Sequence, residues 1–562
     1  MARRAHAYPQ VDPGAAGLVD VAVLRLPAGA TVGEALRRAR ARDAGVAAVG
    51  QAWVLRDDLA RAATLGLDDL RAASLARPLP VTDARASEVA VRRLLAAGAP
   101  AVVVTERRGV VGAVAARGAP AVEGPSLGER FAARLAAPVR RALAVVREVA
   151  AAQRVAAFVA GGTVRDAVAG RAGERRDLDV VVEGDGLLLA RALARSLGGD
   201  ASVIEHARFL TASVTVSGVG RIDVATARAE RYEAPGALPR VVPATIGQDL
   251  GRRDFTVNAL AVELASGAFA LIDLHGGRAD VARRRIRVLH PLSFVEDPTR
   301  MFRAARYAAR LGFAPDAWTL RAQALALGLG AYPALSGQRL LAELELVAAE
   351  PEAAAILRRL AAAGVFRLLD PRYRFDRRTA ARIAALPVAS AWSAAHGLRV
   401  TPVELALLAA LGEQPRDVAR AALARLGLAG EPLLRLQRAM ETGRQTLQAL
   451  GAAARPSERA RLLRGRSDVE LAWLALAGDD AGRGVVAWFV GHARGARPAL
   501  DGDDVRALGV PAGAGVARVL AALRDARLDG LVEDRDGEVA RVRDWLRQGV
   551  PIDEPPGRDD PR

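Results

Sequence analysis

The sequence predicts an α+β chain, mostly helical, with one modest mixed sheet. Three observations lead there. Ala, Leu, Val and Arg dominate while aromatic residues make up only 4%, a composition that favours helices packed through small side chains. The β-branched, strand-like runs around the glycine-rich centre, Val155 to Val159, Leu178 to Val182 and Gly220 to Ala225, all precede residue 290, and from about 350 onward the pattern is helical with Gly and Pro punctuation. At 562 residues the chain is too long for one hydrophobic core, so several domains are expected.

Composition also narrows the chemistry. The formal charge is +17, and with no lysine in the sequence its side-chain cations other than histidine are arginines; such a surplus predicts attraction to phosphate polymers. There is no cysteine, hence no disulfide and no thiolate metal site. The six histidines are scattered and none precedes an aspartate, so zinc chemistry and His-Asp phosphohydrolysis find no support. The first residues lack an apolar signal-like stretch and no apolar run reaches membrane-spanning length, so the expectation is a soluble, cytoplasmic protein.

Taken in order, residues 1–16 are rich in Pro, Gly and Ala and read as a flexible terminus. Residues 17–120 repeat themselves. Thr31 to Val49 and Ala86 to Val104 share a small N-cap region, a helix with an early Glu, a Gly near the helix end and a β-branched strand. Each half continues as strand plus polar turn, Trp53 to Leu59 and Gly109 to Ala115. The duplication resembles a tandem CBS pair, a small α/β module that binds adenine nucleotides in many proteins. Asp58 matches the acid of that pattern, but Leu55 occupies the hydroxyl position and Ala116 replaces the second acid. Gly118 to Gly128 reads as a linker, and a helix is expected from about Glu129 to Ala152.

The centre of the chain is Phe158 to Gly184, predicted as strand, glycine turn, helix and strand. Gly161 and Gly162 permit positive φ and let an anion approach the backbone at the helix start. Asp177 and Asp179 alternate along the second strand and so project from one face, roughly 6 to 7 Å apart at Cα, a spacing suited to divalent metal. A helix over Gly186 to Leu197 leads to a strand at Gly220 to Ala225 that is expected beside the Asp177 strand, where Asp223 adds a third carboxylate. Further on, Arg252 to Ala261 carries Arg253, Asp254 and Asn258, and Asp273 to Asp280 is a glycine-containing turn that suits a hinge. Phe294 to Phe313 reads as one helix with Glu296 and Asp297 at its acidic start, Pro298 in its first turn, and Asp297, Arg300 and Arg303 on a shared face followed by Arg306 and Arg310. Ser336 to Leu344 holds Arg339 and Glu343 at helical i,i+4 spacing.

In this order and spacing the residues resemble the class II tRNA nucleotidyltransferase and bacterial poly(A) polymerase family, over roughly residues 127 to 545. The resemblance is carried by Gly161, Gly162, Arg165, Asp166, Asp177 and Asp179, by Arg252 to Ala261, and by Glu296 to Arg300. It implies a nucleotidyltransferase head (127–290), a helical neck that selects the base (291–350), a helical body (351–450) and a helical, RNA-binding tail (451–562), in which Leu500 to Gly530 places a Gly-rich turn before a helix. It makes Asp177, Asp179 and Asp223 catalytic, with Mg²⁺ or Mn²⁺ on Asp177 and Asp179. Gly161, Gly162, Arg165, Arg253, Asp254, Asn258, Asp297, Arg300, Arg303 and Arg306 would bind the nucleotide, with Asp254, Asn258 and Arg253 turned to ribose and triphosphate from a rigid helix. Asp297 and Arg300 would act as a protein template: a carboxylate accepts from the exocyclic amine that A and C share, and a guanidinium donates to a ring nitrogen or carbonyl. Arg339 and Glu343 would buttress that pocket, and Glu205 to Ala212 would be a flexible segment admitting the nucleotide. The implied activity is template-independent addition of the 3′-terminal A, or of all of CCA, to tRNA, with the tRNA 3′ end and ATP, with or without CTP, as partners. Poly(A) synthesis on other RNA ends and an inert CBS-type nucleotide sensor that binds RNA are the alternatives. The oligomeric state stays open, the CBS pair being one place for dimerisation.

Overall fold

A computed structural model describes residues 14–116, 131, 135–171, 178–198, 201–216, 220–265 and 269–548. The chain divides into two compact units between Arg339 and Leu340, inside the stretch expected to form the neck.

In the first unit the N-terminal duplication is visible in the strand pairing. β1 (Ala22–Leu26) runs parallel to β2 (Ala44–Val49), which pairs antiparallel with β3 (Ala52–Leu55). β4 (Val81–Asp83), β5 (Ala101–Glu106) and β6 (Gly109–Ala115) repeat that pattern. A helix joins the parallel strands of each half, Val32–Ala41 and Glu88–Ala96, and its first free N–H groups are met by Thr31 or Ser87, whose hydroxyls accept from Glu34 N and Ala90 N. Val46, Leu79, Ala101, Val103 and Ala113 form a core that draws on both halves. The polar turn expected after the first β3 residues is instead a helix, Arg56–Thr64, whose first turn holds Asp57 and Asp58, the sign of charge that a helix N-terminus favours.

The helix Ala137–Ala152 buries Val139, Ala142, Leu143, Val146, Val149 and Ala150 at three- and four-residue spacing. It begins at Ala137 with Pro138 in its first turn; Glu129, the expected start, lies outside the described residues. Behind it lies a seven-stranded mixed sheet. Its strands are β7 (Ala156–Ala160), β8 (Leu178–Glu183), β9 (Ser202–His206), β10 (Thr211–Val216) and β11 (Gly220–Thr226), then, after a separate hairpin of β12 (Arg228–Arg231) and β13 (Arg240–Pro243), β14 (Ala261–Glu263) and β15 (Leu271–Ile272). The spatial order is β15-β14-β7-β8-β11-β10-β9. Only β8 and β11 pair in parallel; the other neighbours are antiparallel. Glu205 to Ala212, expected as a flexible arm, is the end of β9, a short turn over Ala207–Phe209 and the start of β10. Its backbone groups are tied into the sheet by pairs such as Ala212 with Glu205.

The helix expected over Phe294 to Phe313 is two helices, Ser293–Glu296 and Arg300–Leu311. Pro298 explains the break. It has no N–H to donate and drives the residue before it out of helical geometry, and Asp297 is extended at φ −138°, ψ 94°.

The second unit is built of helices, as expected from residue 350 onward. In the tail, Leu500, Val505, Val510, Val519, Leu523 and Val542 close a small apolar core, and Gly513 at φ 123° precedes the helix Ala514–Leu528. Among the described residues no helix is long and apolar enough to cross a membrane.

One buried residue of this unit, Trp473 in the helix Asp468–Ala477, packs against two glycines. A Cβ at Gly443 would lie 2.2 Å from its Nε1, and one at Gly412 would lie 2.3 Å from its Cη2. The indole is thus confined on both sides and cannot retreat. Alanine is worth about 1 kcal/mol more than glycine inside a helix, but forcing atoms into a filled core costs about 1 to 3 kcal/mol, so the clash should win. Gly443→Ala should lower the denaturant midpoint of the chain, whereas Gly451→Ala in the same helix, where a Cβ meets nothing within 4 Å, should leave it equal or higher. Equal stability of the two variants would contradict this.

Candidate active site

The parallel register of the two central strands brings the carboxylates together. Asp179 on β8 is the direct partner of Asp223 on β11, and Ser213 on β10 is the next residue in the same row. Register partners share a face, so Asp179 and Asp223 project side by side. Asp223 accepts from Ser213 Oγ at 2.5 Å and pairs with Arg221 at 3.0 Å. Asp177 lies outside the described residues.

Gly161 stands at the end of β7 with φ 76° and starts the short helix Gly162–Val168. A Cβ there would lie 2.9 Å from Arg253 Nη1 and 3.2 Å from Asp179 Oδ2. Both the backbone conformation and the close approach therefore require glycine, and the same measurement places Arg253 beside the Asp179 carboxylate.

Arg252 to Ala261 is not the helix expected of it. It leaves the helix Ile246–Gly251, makes one tight turn at Thr256–Asn258 and becomes β14. What holds it is a buried polar network. Asp254 accepts from Phe255 N at 2.8 Å and Asn258 Nδ2 at 3.0 Å on one oxygen, and from Arg303 Nη2 at 2.6 Å and Nε at 3.0 Å on the other. Asn258 Oδ1 in turn accepts from Arg165 Nη1 at 2.6 Å, and Arg165 Nε donates to Asp166 at 2.9 Å. Burial opposes ionisation of Asp254, but Arg303 and the Asn258 amide outweigh it and hold the carboxyl below its ordinary range. The Tyr307 ring sits 5.6 Å from both the Arg165 and Arg303 guanidinium carbons and meets Phe255 edge-on.

Beside this network, buried Asp249 accepts from Arg252 Nη2 at 2.7 Å and from Arg253 Nη2 at 3.0 Å. Burial works against its charge, yet Arg253 and Arg252 prevail and hold it down. Arg252 also reaches Glu230 at 2.7 Å. Arg253 is thereby steered to the Gly161–Asp179 edge.

In the neck segment Asp297 and Arg300 do not share the helical face expected of them. Arg300 is buried and donates inward, from Nη1 to Ser293 Oγ at 2.8 Å and from Nη2 to the Arg252 carbonyl at 2.9 Å. Arg303, on the same helix, belongs to Asp254, and Arg306 follows one turn on, half-buried. Asp297, displaced from that helix by the break at Pro298, accepts from Thr299 Oγ1 at 2.6 Å and Arg339 Nη2 at 2.8 Å. Arg339 also donates to the Gly236 carbonyl at 2.7 Å, and Glu343 is buried.

Residues 157–287 match the Poly A polymerase head domain. The chain is 37% identical over 308 residues to the CC-adding tRNA nucleotidyltransferase of Deinococcus radiodurans, an alignment that takes in 53% of this chain and 80% of that protein. The chain belongs to the tRNA nucleotidyltransferase family. It is also 36% identical over 392 residues to the A-adding tRNA nucleotidyltransferase of Geobacter sulfurreducens, covering 68% of this chain but only 44% of that one, so it spans less than half the length of that relative. Among solved structures, the Thermotoga maritima CCA-adding enzyme complexed with tRNA superposes with a TM-score of 0.61 at 26% identity, over 75% of this chain and 98% of the other.

Three contributors escaped the sequence reading. Asp249 was within reach of it, since its three- and four-residue spacing to Arg252 and Arg253 is a helical pairing pattern. Ser213 and Tyr307 were not, because the first contacts Asp223 through strand register and the second contacts Arg165 through tertiary packing.

Two histidines of this unit give it a measurable pH dependence. Burial, then the charges of Arg61 for His290 and of Arg77 for His275, lower each imidazole from 6.5 to about 4. The unfolded chain takes up these protons near pH 6.5 and the folded chain does so only near pH 4, so stability is lost as pH falls through that interval. Urea midpoints measured between pH 7 and pH 4.5 should decline, and His290→Gln should flatten the decline. An unchanged slope in that variant would show that His290 does not contribute.

Proposed function

We propose that this chain adds the 3′-terminal A, or all of CCA, to tRNA without a template, by attack of the RNA 3′-hydroxyl on a nucleoside triphosphate with loss of pyrophosphate. The observation that carries the reading is the in-register pair Asp179 and Asp223 beside Gly161, with the Arg253 guanidinium at the same edge. Negative oxygens and a fixed cation at one rim are what a triphosphate and its counter-ion require. The donor set suits a small hard cation: Asp179 and Asp223 supply carboxylate oxygens from neighbouring strands, and Asp177 stands two residues before Asp179 in the sequence. Mg²⁺ or Mn²⁺ held by Asp177, Asp179 and Asp223 would neutralise triphosphate charge and favour the ionised form of the attacking hydroxyl.

The remaining roles fall to the protein's own groups. Gly161 and Gly162 leave room for phosphate, Arg253 balances its charge, and Asp254, Asn258 and Arg165 form the rigid wall at the ribose. Asp297 is the acceptor for the base amine, with Arg300 setting the backbone around it and Arg303 and Arg306 along the pocket side of the neck helix. The A-adding activity named for the Geobacter sulfurreducens relative and the tRNA bound to the Thermotoga maritima enzyme support this choice over poly(A) synthesis. The arginine surplus supports an RNA partner. The N-terminal duplication is read as a CBS-type pair with a structural role, since Asp58 is buried and both its oxygens are taken by Arg77, at 2.5 and 2.8 Å.

The direct test offers tRNA ending at the discriminator base, at C or at CC, with each labelled triphosphate in turn; labelling of the CC end by ATP alone identifies A addition. Asp179→Asn should abolish transfer and leave tRNA affinity nearly intact, and retention of more than about a tenth of the rate, far more than loss of a metal-bound carboxylate permits, would reject the metal assignment. Asp297→Asn should shift base preference rather than rate. Leaving a buried polar group unpaired costs about 1 to 3 kcal/mol, so discrimination between ATP and UTP should fall roughly tenfold. An unchanged ranking of the four nucleotides would make Asp297 a structural anchor only.

A further inference from the structure

We propose that the duplicated N-terminal module is a positioning element of the nucleotide pocket: Arg61, acting through Glu296, sets the Glu296–Thr299 turn that presents Asp297. This rests on the reading of Asp297 as the acceptor for the base. The contact is direct. Arg61 Nη1, on the module's helix Arg56–Thr64, donates to Glu296 Oε1 at 2.7 Å, and the Glu296 side chain is 3% exposed. Glu296 is the last residue of its short helix, and Asp297 follows it in extended conformation, so a rotation of one carries the other.

Charge explains why this contact matters. A buried carboxylate is stable only while paired. His290 Nε2 is 3.3 Å from the other Glu296 oxygen, but that imidazole is neutral at physiological pH. Of the two arginines whose charge acts on Glu296, Arg300 is spent on Ser293 and the Arg252 carbonyl. Arg61 is thus the permanent cation bonded to Glu296, and it comes from the module rather than from the head or neck. Removing it leaves Glu296 to take up a proton, to turn toward water or to draw a proton onto His290, whose imidazole burial and the Arg61 charge keep neutral, and each outcome changes the charge around the turn that carries Asp297.

Further contacts hold the module in register with this turn. Arg77, fixed by Asp58, donates Nη1 to the Leu289 carbonyl at 2.9 Å, one residue before His290, and its guanidinium carbon lies 5.4 Å from the centre of the Trp318 ring. Trp318 Nε1 donates to the Ala76 carbonyl at 3.1 Å. At Gly98 and Gly276 the two backbones touch: a Cβ on Gly276 would lie 2.1 Å from the Ala97 carbonyl oxygen. The glycine turn expected as a hinge is therefore a contact site of the module.

The test uses the full chain with four variants, measuring kcat and KM for each nucleotide on tRNA ending in CC, together with thermal unfolding. Arg61→Ala should raise KM for ATP and narrow the ATP-to-UTP ratio by about tenfold, within the range that coupling between contacting groups reaches, with a smaller change in kcat. Arg61→Lys, which restores a cation to the single contact, should recover most of the effect. Arg56→Ala, on the same helix but paired with Asp43 inside the module, should match the unsubstituted protein. If Arg61→Ala is insoluble, Arg61→Gln, which keeps a donor without the charge, is read in the same way. Unchanged KM and ranking in a protein that transfers nucleotide would overturn this inference alone. So would a uniform loss for all nucleotides that follows the melting temperature and is not rescued by lysine. An unsubstituted protein that transfers no nucleotide to any tRNA end would overturn the proposed function, and this inference with it.

Discussion

The charge on Asp254 is the constraint around which the first unit is arranged. A carboxylate removed from water persists as an ion only if every lone pair is engaged and a cation is close, and here the engaged groups come from three stretches far apart in sequence: Phe255 and Asn258 from its own segment, Arg165 through Asn258 from the glycine-turn helix, and Arg303 from the neck helix. Meeting that single requirement fixes the distance between the sheet edge, the tight turn and the neck. The aromatic side chains of Tyr307 and Phe255 exclude water from the same place and strengthen each polar contact there.

Arginine does most of this ordering, and its geometry is the reason. A guanidinium offers several donors in a fixed plane, so one side chain can join a carboxylate to a carbonyl or to a second acid. Arg252 joins Asp249 to Glu230, Arg77 joins Asp58 to Leu289, and Arg339 joins Asp297 to Gly236. A chain without lysine has the whole of its non-histidine side-chain cation supply in this form. The same groups that confer attraction to phosphate polymers thus also cross-link the fold, and the formal charge alone does not distinguish the two uses.

Much of the site was legible because it depends on local geometry. Glycines at positions 161 and 162 between a strand and a helix, the alternation that puts Asp179 on one strand face, and the strand around Asp223 all follow from the short-range preferences of the backbone, and the structure pairs Asp179 with Asp223 directly. The duplicated N-terminal pattern was legible for the same reason, and its strands pair in the same parallel and antiparallel senses in both halves. Less was legible where two local rules compete. Helical spacing from Asp297 to Arg310 argued for one helix, and Pro298 could be accommodated in a first turn; the chain breaks there instead, so that Asp297 and Arg300 do not share a helical face.

By itself, then, the sequence determined the mostly helical α+β class, the glycine turn, the strand carrying Asp223 and the charge available, because propensity, periodicity and composition are properties of neighbours along the chain. Beyond local pairs such as Asp249 with Arg252, only the tertiary structure decided which acid an arginine serves. Arg300 could as well have faced the pocket, Asp58 a ligand and Glu296 the solvent, and nothing within a helical turn of any of them says otherwise. Their partners lie at separations such as 235 residues for Arg61 and Glu296 or 49 for Arg303 and Asp254. At that range the choice is made by which buried charges must be neutralised once the core has closed, a condition that exists only in the folded protein.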